Sequence, residues 1–329
     1  MTSLETAPAV AADPARRPVP GISGVWTRGR AGALVGGYVA ALALLIAVKG
    51  LFISADRYVL ILFVPALVLG LGRQYVRDFV PFVVGVLIYE ELRGVAHLLH
   101  PRPFYEPWLA LDRLMFLGHV PNVLAQDLLW RGHLSWYDSA FALCQRAHFI
   151  VPPTLLFLIW LERRDLFYRC ALTLLMVSVA AAITFAIIPS APPWKAAQTG
   201  RMPQIARIGY VQAASSPVKT GKSLVESGVL RNDYAAVPSL HTAYSLLTLV
   251  FALAWRRRVG VALLWYPLVM WFTIVYFGDH YVTDILIGIV YALTAWFAAG
   301  KLLRGRLSAL SGPFRPPLDS ARFLEASAR

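Results

Sequence analysis

Two short stretches hold side chains able to handle a phosphate group. In VPSLHTAYSLL, residues 237–247, Pro238, Ser239 and His241 stand where a polar loop gives way to a long apolar run. In FGDHYVTDILIG, residues 277–288, His280 and Asp284 open another apolar run. Positions i and i+4 share a helix face, so Asp284 can accept a hydrogen bond from one imidazole nitrogen of His280. That fixes the tautomer and leaves the other nitrogen as a nucleophile or a base. The plainer reading of the pair is a helix-start carboxylate that complements the dipole beside an interfacial histidine. Ser239 is placed to cap the helix after it, and a helix start with free amides and an outward hydroxyl binds phosphate. His241, two residues on, could donate a proton to a leaving oxygen. On its own, PSLH also reads as an ordinary Pro-Ser helix start with an incidental histidine.

A third stretch, PPWKAAQTGRMP, residues 192–203, offers Lys195 and Arg201 to neutralise non-bridging phosphate oxygens, which a fixed guanidinium does bidentately. Exposed basic residues near a membrane usually meet head groups instead, and Lys219, Lys222 and Arg231 in the same loop compete for the role.

These residues need elements that bring them together. The chain has 329 residues, 58% hydrophobic and 15% charged, with a mean hydropathy of +0.59. A soluble domain carries about 45–50% apolar and about 25% charged residues. The expected fold is therefore all-α, a polytopic integral membrane bundle. The net charge of +13 reflects basic residues at helix ends, which topology and anionic lipid explain. No basic stretch is interleaved with aromatics as a nucleic-acid surface would be. Cys144 and Cys170 fall in expected membrane helices without CxxC spacing, which argues against a structural disulfide and a cysteine metal site.

About 20 apolar residues span a hydrocarbon core of about 30 Å. Candidate spans are 31–53, 57–72, 79–98, 137–162, 166–189, 240–255, 259–277 and 281–302. Residues 99–136 mix Trp, Tyr and charge and suit an interfacial segment. Residues 1–30 read as a disordered cytoplasmic tail without a cleavable signal, and 303–329 as a basic cytoplasmic tail. Basic clusters at 28/30, 73/77, 163/164, 256–258 and 304/306 all fall on one side of an eight-span chain, which makes both termini cytoplasmic. His241 begins the sixth span and His280 ends the seventh, so a hairpin with Arg256, Arg257 and Arg258 at its cytoplasmic turn brings both histidines to the outer face. The loop 190–239 lies on that face as well.

Charge also falls within the spans. Glu90, Glu91 and Arg93 lie in the third span, whose later half must then face protein or water. Arg146 and His148 lie about midway along the fourth, where charge is expensive and often functional. A pairing of these with Glu90 or Glu91 is the preferred structural reading.

In order, spacing and sidedness, PSLH, the apolar hairpin and HYVTD resemble the type 2 phosphatidic acid phosphatase superfamily, whose signature is KxxxxxxRP, PSGH and SRxxxxxHxxxD. The match directly covers 238–284, and the membrane frame extends it to about 79–302. PSLH for PSGH, with APPW upstream, is closer to the inositol-phosphorylceramide-synthase-like branch, which moves phospho head groups between lipids. The resemblance implies His280 as nucleophile through a phosphohistidine, Asp284 as its orienter, His241 as proton donor to the leaving alcohol and Ser239 as phosphate contact. It also implies no metal and no cofactor. It further implies a six-helix catalytic domain over 79–302, with 31–78 forming two accessory helices. The chain departs from the signature at two places. Lys195 is followed by Arg201 one residue early, then by Met202 and Pro203, and Thr273 and Ile274 replace the SR pair. The phosphate-binding arginine must then come from elsewhere, with Arg201 and Arg231 the candidates.

The expected function is thus a phosphotransferase or phosphatase at the outer face of the plasma membrane. Its substrate would be a phospholipid or polyprenyl phosphate, including inositol-phosphate head-group transfer, with water or another alcohol as acceptor. Nucleic acid is not an expected partner, and oligomeric state is not encoded. A zinc hydrolase with His241, His280 and Asp284 as ligands leaves PSLH without a purpose. The alternative from another class is a transporter or flippase with Glu90, Glu91, Arg93, Arg146 and His148 lining a path. That reading lacks the internal repeat many transporters show, and the densest polar chemistry lies on one face.

Overall fold

The computed structural model describes residue 37 and residues 55–99, 102–214 and 232–304. Apart from Gly37, Leu303 and Arg304, the expected first span, both tails, and Lys219, Lys222 and Arg231 lie outside the described residues. The described chain is helical, with only isolated bridges between extended residues.

In chain order the helices are α1 (Ala55–Val68), α2 (Gly72–Leu99), α3 (Glu106–Met115), α4 (Pro121–Leu129), α5 (Trp136–Ala147), α6 (Val151–Glu162) and α7 (Arg164–Ile187). They continue as α8 (Pro193–Gln198), α9 (Ile208–Ala214), α10 (Leu240–Trp255), α11 (Arg257–Ala262), α12 (Trp265–Tyr276) and α13 (Val282–Leu303). Among the described residues, three segments are long and apolar enough to cross a membrane: α7, α11 with α12, and α13. A fourth is α5 with α6 if that pair, bent by 41°, forms one span. The bend falls at residues 148–150, just before Pro152 and Pro153, which supply no amide to continue the ladder. At 16 residues α10 is about 24 Å long, less than the hydrocarbon thickness. The 28 residues of α2 include Arg73, Arg77, Asp78, Glu90, Glu91 and Arg93.

The apolar core is built around α7, which packs on α2, α6, α10 and α13. Tyr75, Phe79, Phe157, Trp160 and Phe167 interlock at one end of it. Beside them the buried Asp78 carboxylate accepts from Trp160 Nε1 at 2.9 Å and Tyr168 OH at 2.8 Å, and pairs with Arg77 and Arg164. A buried carboxylate is tolerable only when its oxygens are satisfied in this way.

The other end is tied by backbone. Phe104 N donates to Pro189 O, Ala191 N to Phe104 O, Ser190 N to Tyr234 O and Ala236 N to Ser190 O. These bonds join the segment before α3, the exit of α7 and the approach to α10. The histidines stand at this end, so the stretches around Ser190 and Ser239, far apart in sequence, are fixed side by side.

Candidate active site

Helix α12 ends in a Schellman-type turn: Asp279 N donates to Ile274 O at 2.9 Å, Gly278 N donates to Val275 O at 3.0 Å, and Gly278 has φ +78°. That left-handed glycine turns the chain so that His280 emerges just before α13. Asp284, in the first turn of α13, is fully buried. Its Oδ2 faces His280 Nδ1 at 3.2 Å and accepts the Tyr281 amide at 2.9 Å. One oxygen therefore caps the helix and holds the imidazole, leaving His280 Nε2 as the nitrogen free to react.

His241 comes from the first turn of α10. Ser239 Oγ caps that helix by accepting Thr242 N at 3.3 Å, and Ser239 N donates to the backbone oxygen of Asp284 at 3.3 Å. The Ser239 side chain is thus buried in the junction of α10 and α13, not turned outward as expected from sequence. The helices approach so closely here that a Cβ on Gly288 would lie 2.6 Å from Ser239 O. The consequence is that the His241 and His280 rings stand 5.6 Å apart, centroid to centroid.

The braces behind His280 come from α3 and α4. Asn122 Nδ2 donates to Val275 O at 2.7 Å and to His280 O at 3.0 Å. One turn on, Gln126 Nε2 donates to Tyr276 O and Ala206 O, both at 2.8 Å, while its Oε1 accepts Ala206 N. Asp112 caps α13 by accepting Val282 N at 3.0 Å, Thr283 N at 2.8 Å and Thr283 Oγ1 at 2.7 Å. Burial pushes the Asp112 carboxyl above its ordinary range, with the Thr283 and Val282 bonds pulling it back. Sequence reading had these residues only as part of an interfacial segment. The available signal was Asn122 and Gln126 at i and i+4, one polar stripe on a short helix whose other residues, Asp127 apart, are apolar.

Asp279 is half-buried and accepts Gln145 Nε2 at 2.8 Å. Burial raises its carboxyl above the usual value, opposed by His280, Gln145 and Arg207. Arg207 lies flat over Trp194 at 3.9 Å, and the Trp194 amide donates to Gly278 O at 3.0 Å. Lys195 Nζ is 5.2 Å from the centre of the same indole. Arg201 faces α3, 4.5 Å over the Tyr105 ring and 3.9 Å from the Glu106 carboxylate, half-exposed. Arg231 lies outside the described residues.

The expected pairing of Arg146 or His148 with Glu90 or Glu91 is not what the structure shows. Arg146 donates to Gln212 Oε1 at 2.6 Å, and Glu90 is taken by Arg93 at 2.8 Å. His148 stacks on Tyr244 and meets His241. Among the described residues no group of three His, Cys, Asp or Glu side chains is arranged to hold a metal ion.

Comparison with known proteins gives two matches. The family model described as PAP2 superfamily matches residues 109–298, which hold α3's buried end, both histidines and most of α13. A phosphoinositol dihydroceramide synthase of Bacteroides thetaiotaomicron is 34% identical over 154 residues, covering 44% of this chain and 50% of the relative. The chain thus spans about half the length of the curated relative it matches. No solved structure matches.

Proposed function

From the premise that the chain belongs to the PAP2 superfamily, we propose that it transfers a phosphoryl-linked head group between lipids through a phosphohistidine at His280. One observation carries the reading: the His241 and His280 rings are 5.6 Å apart, with Asp284 on Nδ1 of His280. In the first half-reaction His280 Nε2 attacks phosphorus and the bond to the lipid alcohol breaks. The departing oxygen takes the proton of protonated His241. In the second, an acceptor oxygen attacks phosphorus as its proton passes to His241, and the phosphorus–nitrogen bond breaks to free His280. Asp284 orients the imidazole and offsets its developing charge, as in other nucleophile–orienter pairs.

Lys195 and Arg207, both on the Trp194 indole beside the His280 turn, supply positive charge to the non-bridging oxygens. Arg201, over Tyr105 and beside Glu106, serves at the rim. Ser239 acts on the phosphate site by fixing the start of α10, from which His241 projects. The 34% identical relative is named for a phosphoinositol transfer to a ceramide-type lipid, which favours an inositol-phosphate head group and a lipid alcohol as acceptor. The six segments α2, α5–α6, α7, α10, α11–α12 and α13 form the catalytic membrane domain, preceded by the accessory helix α1. The site faces the outside of the plasma membrane, with both termini cytoplasmic.

The test is a transfer assay with purified protein, phosphatidylinositol labelled in the head group, and a ceramide acceptor. Label should move to the acceptor lipid in the native protein and not in His280→Ala. Release of water-soluble inositol phosphate alone would make the protein a hydrolase. Lipid movement that survives His280→Ala without either product would favour a transporter.

A further inference from the structure

His148 is a third imidazole in line with the two that the proposed reaction uses. It is 9% exposed, at the C-cap of α5 where the α5–α6 segment breaks before Pro152 and Pro153. Its ring is parallel to Tyr244, with centroids 5.3 Å apart and an angle of 11°, and lies 4.8 Å from His241 at 40°. His241 and Tyr244 are three residues apart on α10, so they share a face and the one imidazole spans both. Tyr244 is itself pinned, its hydroxyl 2.5 Å from Ser178 Oγ on α7. The backing for His148 is therefore rigid and reaches through α10 to the core helix.

Among the described residues the ring of His241 has contacts with His148 and His280 but no hydrogen bond to either nitrogen. A terminal imidazole torsion is broad and roughly two-fold, so ring contacts alone must choose its orientation. His148 Nδ1 is buried without a partner, so no hydrogen bond through it holds the ring. The stack on Tyr244 does that. Aromatic faces at such separations prefer defined geometries, which makes His148 a directional wall and not a filler.

We propose that His148 is a positioning residue for His241: clamped by Tyr244, its ring holds the His241 imidazole turned toward His280, where a leaving oxygen can take the proton. The proposal rests on the phosphohistidine reading of the same site, and it assigns the α5–α6 break a purpose, since only a broken segment delivers residue 148 to the start of α10.

The experiment compares two donors that share a phosphoryl group and differ in leaving group: phosphatidylinositol, and the 4-nitrophenyl ester of inositol phosphate. A nitrophenolate leaves without protonation, so in the first half-reaction only phosphatidylinositol needs a correctly turned His241. Measured as single-turnover release of diacylglycerol or nitrophenolate, His148→Ala should lower the phosphatidylinositol rate about 10- to 100-fold, the scale of a misplaced catalytic group, while leaving the nitrophenyl rate nearly unchanged. His148→Phe keeps the stack and should restore most of the phosphatidylinositol rate. His148→Leu fills the volume without a stacking face and should behave like the alanine variant, which covers the case in which alanine fails to fold. Equal losses on both donors, or a phenylalanine variant as poor as leucine, would overturn the proposal. Failure of the underlying reading looks different: His280→Ala would then stay active on both donors.

Discussion

Asp284 Oδ2 faces His280 Nδ1 at 3.2 Å while accepting the Tyr281 amide at 2.9 Å, so the carboxylate that starts α13 also orients the imidazole. Asp284→Asn puts an amide where an acceptor is needed, and an amide N–H facing Nδ1 moves the proton of His280 to Nε2. The expected loss in single-turnover adduct formation is about 10²- to 10⁴-fold, in line with orienter loss elsewhere. Asp279→Asn removes a carboxylate that only Gln145 bonds directly and should cost far less. Comparable rates for Asp284→Asn and the native protein would show that the carboxylate serves only the helix start.

Asn122 spans two carbonyls, one on α12 and one on His280 itself. Asn122→Ala leaves the His280 oxygen without its donor, while Val275 O keeps the Gly278 amide, and one such unsatisfied group costs about 1–3 kcal/mol. Thermal unfolding in detergent should show a lowered midpoint, and turnover should fall through kcat more than KM because the nucleophile's loop is loosened. Unchanged kcat in a folded variant would make α4 a packing element only.

The approach of α10 to α13 depends on Gly288, since a Cβ there would stand 2.6 Å from the backbone oxygen of Ser239. Gly288→Ala forces the two helices apart by several tenths of an ångström and separates the two histidines. Overpacking of this kind costs about 1–3 kcal/mol. Activity should fall well beyond what the stability loss accounts for, measured as specific activity of the folded fraction. A fully active alanine variant would mean that the histidine spacing tolerates this shift.

Sidedness is open to a labelling experiment. The native cysteines Cys144 and Cys170 are buried, so the background is low. Thr199→Cys, at an exposed site near the histidines, should react with an impermeant maleimide on intact cells, and Arg257→Cys only after lysis. The opposite pattern would place the site on the cytoplasmic side.

The parts of this protein legible in its sequence are those carried by local patterns. Apolar runs gave the helices, and α7, α10 and α13 fall within about two residues of their expected bounds. The HxxxD spacing and the Pro-Ser helix start are local too, and the Oδ2–Nδ1 contact and the Ser239 cap are where that spacing puts them. What stayed hidden depends on long-range docking. Asn122 and Gln126 bond residues about 150 positions away, and no local period marks that. His148 pointed to charged partners on α2, because depth in the membrane was legible and rotation about the helix axis was not. The break before Pro152 turns it instead to Tyr244 and His241. Arg207 went unnoticed since a single arginine in a loop has no period, while its place over Trp194 follows from the docking of α8 on Gly278.

The central claim is a covalent bond between phosphorus and His280. Incubation with phosphatidylinositol labelled in the phosphoryl group, without acceptor, followed by an alkaline quench and peptide mapping, tests it most directly. The account predicts a base-stable, acid-labile adduct on the peptide holding His280, discharged on addition of a ceramide, and absent from His280→Gln. Full transfer activity in His280→Gln would contradict it, because glutamine cannot carry the phosphoryl group.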